Sequence, residues 1–313
     1  MLGNGVEAFG LRDDAAVVGF PGGGPLVASV DSVVEGVHVD LSISSPADAG
    51  WKALMSALSD LAAVGAAPVG ALVALCVPGG SGQGDLALAV MAGVAEASAA
   101  GGCPVVGGDV SEAGELAVAV TVLGTTATGG RPPVGRAGAR PGDIVLVTGP
   151  CGASAAGLRV LRAREGLAEG AAKEAAKGAA KGEAGRLAEA HRRPVARLRE
   201  GELAREGGAH AMIDVSDGLA LDLHRLADAS GMGFRLDTVP VADGATEDEA
   251  LGGGEDYELL IAIGPDDADA LGDRCVAEGL RRPIESGTVV EDASVRTLNG
   301  RPLERMGWQH RVG

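Results

Sequence analysis

Short apolar runs alternate with stretches of helical spacing along most of this chain, and that alternation limits its fold more than any other feature. Segments 25–30, 70–77, 104–106, 116–123, 144–148, 211–213 and 259–263 are rich in Val, Ile and Leu and are bounded by Gly, Pro or Asp, which predicts strands. Segments 47–64, 85–99, 153–164, 218–229 and 266–278 repeat apolar residues at helical spacing; the first has Asp48 near its start and Gly65 past its end. Strands and helices in alternation predict an α/β (α+β) protein. Segment 125–142, TTATGGRPPVGRAGARPG, is dense in Gly, Pro and Arg. It predicts a crossing between two domains of ordinary size, 1–137 and 138–313. Segment 169–185, EGAAKEAAKGAAKGEAG, is a degenerate four-residue repeat without an apolar stripe. Its Ala, Lys and Glu favour helix and its Gly weakens it, so a solvated, partly helical insertion is expected.

Composition removes several function classes. Of 313 residues 46% are hydrophobic, enough to bury a core, so global disorder is excluded. Aromatics are 2%: Phe9, Phe20, Trp51, Phe234, Tyr257 and Trp308. So few rings give no stacking platform for single-stranded nucleic acid. The net charge of −17 opposes nucleic acid and anionic membranes. An anionic ligand would therefore need bound cations to attract it. Lysine stands only at Lys52, Lys173, Lys177 and Lys181, and no GxxxxGK[ST] phosphate loop occurs. Cys76, Cys103, Cys151 and Cys275 form no CxxC and read as small, reduced, mostly buried residues. Segment 61–84 is uncharged but broken by Pro68, Pro78 and glycines, which argues against a membrane span. The opening MLGNGVEAFGLRDD has neither a basic nor an apolar run, so a cytoplasmic protein is expected.

Certain carboxylates are placed unlike the rest. Asp31 closes PLVASVD, Asp109 closes PVVGGD, and Asp214 and Asp217 lie in AMIDVSDGLALDL between a strand and a helix. Asp13 and Asp14 precede the apolar AAVV, and Asp60 lies in the helical pattern WKALMSALSDLAAVGA. A carboxylate at a strand end beside glycine points into the crevice where α/β proteins bind ligands. Arginine partners are scarce in the nearby sequence, only Arg12 being adjacent to one. Ionised carboxylates on apolar surface need a counter-charge, and Mg²⁺, a hard cation that bridges carboxylates to phosphates, supplies one. The plainer reading keeps each single Asp structural, with Asp14 or Asp217 as a helix N-cap.

The order of these motifs is specific. DDAAVV (13–18), SVDSVVEGVHVD (29–40), GWKALMSALSDLAAVGAAP (50–68), VVGGDVSE (105–112), GRAGARPGDIVLVTG (135–149), HRRP (191–194), IDVSDGLALDL (213–223), GGGEDYEL (252–259) and the GW and His of 307–310 follow one another almost end to end. In that order they resemble the thiamine-monophosphate kinase family, of the aminoimidazole-ribonucleotide-synthetase-like superfamily. The resemblance implies a two-domain subunit whose N-terminal α/β halves meet in a homodimer. It implies ATP-dependent phosphorylation of thiamine monophosphate with several Mg²⁺ ions, and such an acceptor, a phosphate monoester largely ionised near pH 7 with a second pKa of about 6, needs no general base.

Carried onto this sequence, Asp14, Asp31, Asp60, Asp109, Asp214 and Asp217 would bind magnesium, with Ser29 assisting near Asp31; Asp109, Asp214 and Asp217 would act in catalysis through the metal. Gly108, Asp109, Arg136 and Ser216 would contact ATP, and His38, Glu255 and Trp308 the thiamine phosphate. The chain departs from the family pattern at Arg12, Val30, Val110 and Arg311. Read without the resemblance, His38 is a satisfied histidine in a strand, Trp308 a terminal anchor and Arg136 a solvated linker residue. A different superfamily enzyme acting on another small acceptor, and a magnesium–nucleotide binding module without turnover, remain as alternatives.

Overall fold

The computed structural model describes residues 13, 15–18, 26–126, 130–165 and 182–309. Arg12, Asp14, His310, Arg311 and the larger part of the 169–185 segment lie outside the described residues.

The first sheet is built of β1 (Ala16–Val18), β2 (Leu26–Val34), β3 (Ala67–Pro78), β4 (Val105–Ala113) and β5 (Ala117–Thr125), in the order β1-β2-β5-β3-β4. Every pairing is antiparallel except β3 with β4. Helices α1 (Pro46–Ala63) and α2 (Gln83–Gly101) cover one face. Val27 and Val33 of β2, Val73 and Leu75 of β3, and Val118, Val120 and Val122 of β5 point into that core. The alternation follows from the period of two along a strand. The opposite face is open: Val30 is 64% exposed and Leu72 43%, and β4 is exposed at all its positions.

Helix α1 starts sharply. The Ser45 hydroxyl accepts from the Asp48 amide, the Asp48 carboxylate accepts from the Ser45 amide, and Pro46 occupies the first turn. It lies against α2 at glycines, since a methyl group at Gly50 would stand 2.0 Å from the Val90 carbonyl oxygen and one at Gly93 1.8 Å from that of Ala47. Backbone approach this close excludes any side chain at either position.

The second sheet runs β12-β11-β8-β10-β6-β9-β7. Its strands are β6 (Ile144–Val147), β7 (Ala211–Asp214), β8 (Gly233–Leu236), β9 (Leu259–Ile263), β10 (Ile284–Val290), β11 (Arg296–Leu298) and β12 (Arg301–Pro302). Helices α3 (Ala153–Glu165), α4 (Glu183–Arg192), α5 (Leu198–Gly207), α6 (Leu219–Ser230), α7 (Glu247–Gly252) and α8 (Pro265–Ala277) surround it. Both faces are covered. Val145, Ile213 and Leu260 pack with Leu219, Leu223 and Leu226 of α6 on one side. On the other, Leu146, Met212, Leu259 and Ile261 pack with Leu203 of α5 and Leu271 of α8. Ala62 and Ala63 of α1 belong to that second cluster, so the last turn of α1 is part of the other half's core.

The strand at 104–106 is longer than expected: β4 continues through Gly107 and Gly108 to Ala113. A methyl group at Gly108 would stand 2.1 Å from the Val73 carbonyl oxygen, so the glycines that suggested a break instead let β4 lie against β3. The end of the 169–185 segment runs into α4, which docks through Leu187, Ala188 and His191. Cys103, Cys151 and Cys275 are buried and Cys76 is half-buried, all as free thiols. Among the described residues no helix is long and apolar enough to cross a membrane.

Candidate active site

The two halves meet along α1, and one face of that helix is polar. Lys52, Ser56, Ser59 and Asp60 recur at helical spacing, the first three buried. Ser59 Oγ donates to Asp214 Oδ2 at 2.6 Å, joining α1 to the end of β7. Ser29 Oγ donates to Asp60 Oδ2, joining β2 to α1. Two adjacent residues of one helix turn therefore serve both halves: Ser59 holds the Asp214 carboxylate of the second, and Asp60 carries a carboxylate held by Ser29 of the first.

The turn after β7 is the hub of the C-terminal side. The Glu255 amide donates to the Ser216 carbonyl at 2.7 Å, Tyr257 N–H to Val215 O at 2.9 Å, and Trp308 N–H to Asp217 O at 2.9 Å. These bonds bring Glu255 and Trp308, distant in sequence, to the turn carrying Ser216 and Asp217. Glu255 and Tyr257 have φ of +65° and +51°, a conformation costly for residues with a Cβ. Asp256, between them, anchors the loop by accepting from the amides of Gly152 and Ser154. Burial pushes its carboxyl up to about 7, against the lowering effect of those amides.

The Tyr257 hydroxyl reports how the site is charged. Its pKa is pushed well up, first by burial and then by the nearby charges of Glu255, Asp31, Asp214 and Asp60. Two of these carboxylates come from each half. The structure thus brings Asp31, Asp60, Asp214 and Glu255 into one region. Their oxygens, with the hydroxyls of Ser29 and Ser59, are the hard donors that suit Mg²⁺. Among the described residues, however, no three His, Cys, Asp or Glu side chains gather closely enough to enclose an ion by themselves. A cation shared with substrate phosphates is the arrangement this donor set fits.

Other expected residues are placed differently. Asp109 is exposed on the edge strand β4 and accepts from Ser111 Oγ at 2.9 Å. The strands β5 and β3 separate β4 from the β2 strand of Asp31, about 14 Å at ~4.8 Å per strand. Gly108 shares that edge. Asp13 accepts from the Arg136 amide at 2.6 Å and so ties the N-terminal segment to the crossing. Asp31 Oδ1 accepts from the Ser32 amide at 2.7 Å. His38 Nδ1 accepts from the Val34 amide at 3.2 Å, which leaves the ring hydrogen of the neutral form on Nε2.

The apparent scarcity of arginines is corrected by the structure. Arg225, two turns along α6, donates to Asp217 Oδ2 at 2.5 Å and to Asp222 Oδ1 at 2.6 Å. Asp222 Oδ2 in turn accepts from the amides of Ser216, Asp217 and Gly218. The amides at the start of α6 are therefore already satisfied by a carboxylate of their own helix. Burial raises Asp222 to about 6, with the Asp217 amide and Arg225 acting the other way.

Sequence reasoning missed Ser59, Asp222, Arg225 and the buried Lys52. For the first three a signal existed: Ser59 neighbours Asp60, and Asp222 and Arg225 stand at a helical spacing from each other.

The family model "AIR synthase related protein, N-terminal domain" matches residues 12–126, and the corresponding C-terminal domain model matches 140–298. The thiamine-monophosphate kinase of Rhodopirellula baltica is 33% identical over 281 residues, covering 83% of this chain and 78% of the relative. That of Bacillus subtilis is 34% identical over 316 residues, covering 96% and 93%. The solved structure of AaThiL complexed with AMPPCP and TMP superimposes with a TM-score of 0.80 at 30% identity, covering 96% of this chain and 91% of its own. Both halves match in order and the relatives align over most of their length: the chain belongs to the thiamine-monophosphate kinase family of AIR-synthase-related proteins.

Proposed function

We propose that this protein transfers the terminal phosphoryl group of ATP to thiamine monophosphate, giving thiamine diphosphate, in a Mg²⁺-dependent reaction without a general base. The observation that carries this reading is the seam along α1, where Ser29 holds Asp60 and the neighbouring Ser59 holds Asp214, setting carboxylates of both halves side by side. The complex of AaThiL with AMPPCP and TMP supports the substrate pair.

The acceptor is itself a phosphate, with a second pKa of about 6, so it is largely an anionic nucleophile near neutrality and needs no base. The obstacle is bringing two polyanions onto a chain of charge −17. Asp31, Asp60 and Asp214 would each lend carboxylate oxygens to Mg²⁺ ions completed by substrate phosphates, and those ions would supply the neutralising charge. Ser29 and Ser59 orient Asp60 and Asp214 through the hydrogen bonds given above. Asp109 lies too far across the sheet from Asp31 to share an ion with it, and in this reading it serves the nucleotide with Gly108, Arg136 and Ser216. Asp217, held by Arg225, stiffens the turn that presents Asp214 and Ser216, as well as being a candidate ligand. Trp308 is 55% exposed beside that turn, leaving its ring accessible to a thiazolium or aminopyrimidine. His38 and Glu255 complete the acceptor side.

The open face of the first sheet is the surface for a second copy of this chain. Each Val or Leu left there forgoes about 1.5–3 kcal/mol of burial, and Val30 and Leu72, in register with each other through Thr121, both stand exposed on that face. A coupled ADP-release assay tests the activity. Turnover should require thiamine monophosphate and Mg²⁺ together. ADP release with another small acceptor, and none with thiamine monophosphate, would replace the substrate assignment.

A further inference from the structure

Lys52 is the one lysine outside the 169–185 repeat, and it is 2% exposed. An ammonium group is buried at this cost only when it is paired. Its Nζ donates to Glu255 Oε2 at 2.8 Å and to the His38 carbonyl oxygen at 3.2 Å. One side chain of α1 therefore ties together two loops from opposite halves, each carrying a residue assigned above to the acceptor. Glu255 is fixed from other directions as well: its backbone is left-handed, its amide is bound to Ser216 O, and His191 Nδ1 lies 3.6 Å from Oε2. Its second oxygen, Oε1, accepts no hydrogen bond among the described residues.

We propose that Lys52 is a positioning residue for acceptor specificity. It clamps Glu255 to the His38 turn, and by neutralising the carboxylate it makes Glu255 a directional hydrogen-bond acceptor, through Oε1, for an N–H donor of the substrate ring. A bare carboxylate in the same place would attract any cation regardless of orientation. A charge-paired one selects by geometry, because its remaining lone pairs have fixed directions. The inference rests on the reading that Glu255 and His38 meet thiamine monophosphate.

The test is steady-state kinetics on the full-length enzyme with each substrate varied in turn, for Lys52→Met, Glu255→Gln and the double variant. Lys52→Met should raise KM for thiamine monophosphate about tenfold while kcat and the KM for ATP stay within about twofold. Because Lys52 acts through Glu255, the double variant should be no worse than Glu255→Gln alone. Losses that multiply in the double variant, or equal weakening of both substrates, would overturn the proposal. If Glu255→Gln leaves the acceptor KM unchanged, the acceptor-site reading itself is lost, whatever Lys52 does. Should Lys52→Met fail to fold, since it leaves the half-buried Glu255 carboxylate without its cation, the double variant removes both charges and is the one expected to fold. Its acceptor KM, set against that of Glu255→Gln, then decides alone. Lys52→Arg, which retains the charge, should restore the acceptor KM to within about threefold of the parent protein.

Discussion

The two sheets of this molecule solve the same problem differently. The second sheet is sandwiched: β7 and β9 are buried at every position, and their sequences, AMID and LLIAI, are nearly continuous in apolar residues. The first is covered on one side only, and its β5, AVAVTVLGT, alternates buried with half-buried positions. A continuous run marks a strand with two covered faces, and an alternating run one with a single covered face. On the exposed side Val30, Leu72 and Ala74 are nevertheless apolar, the charge of Asp109 standing at the β4 edge, so the centre of that face has the chemistry of an interface.

The strongest way to break this contrast is to put a charge into each sheet. Ile261→Asp, in the sandwiched sheet, should cost several kcal/mol and abolish the cooperative unfolding transition seen by circular dichroism. Val30→Asp, on the open sheet, should leave the chain folded but prevent the dimer proposed for that face, measured by light scattering against the parent protein. If Val30→Asp unfolds the chain, the open face has been misjudged; if it leaves the assembly intact, the second copy binds elsewhere.

A smaller effect separates chemistry from assembly. Asp214→Asn, at the end of a closed-sheet strand, should lower kcat by at least about 10²-fold at every enzyme concentration. Any loss in Val30→Asp should instead recover as the enzyme is concentrated. Near-normal turnover of Asp214→Asn at low Mg²⁺ would remove Asp214 from the site.

The smallest expected effect is on acid stability, and it lies in the seam between the halves. His191 is hydrogen-bonded to Ser154 at 3.0 Å and faces Glu255 and Lys52. Burial first, then the charges of Lys52, Arg192 and Arg162, push its pKa down to about 3. Unfolded, the ring titrates near 6.5. The unfolded chain therefore takes up a proton first as pH falls. The contribution of His191 is complete above about 6.5 and is lost progressively toward about 3. Urea midpoints at pH 7.5 and 5 should differ less in His191→Asn than in the parent protein. An unchanged difference would assign the acid sensitivity to another group.

The strand-end aspartates were legible because an acidic residue closing an apolar run is a local pattern. Asp31 and Asp214 stand out that way, and Asp60 by its place in a helical pattern that mostly faces a core. What joins them was not, because it depends on contacts between distant segments: Ser59 with Asp214, Lys52 with Glu255. Arg225 escaped because it pairs with Asp217 from two helical turns away, beyond the sequence neighbourhood searched for partners. Among the elements, β8, β10, β11 and β12 carried too little signal. GFRL and IESGTVV are short or interrupted by Gly, Glu and Ser, and their strand character comes from pairing with neighbours that the sequence does not reveal. The strand β4 was cut short for the opposite reason, since its glycines look like a break but serve a close approach.

The sharing of α1 between two cores has a consequence for synthesis. Ala62 and Ala63 need the apolar side chains of α5, β7 and β9 to cover them, and Lys52 needs Glu255. On the ribosome about 200 residues separate Ala63 from the end of β9, which at about 5–20 residues per second is a wait of about 10–40 s. Throughout that interval the nascent first half presents a helix whose final turn is apolar and uncovered, beside a sheet with an open face. The period of greatest danger for this protein is thus during translation, when both unfinished surfaces are available to the wrong neighbours at once.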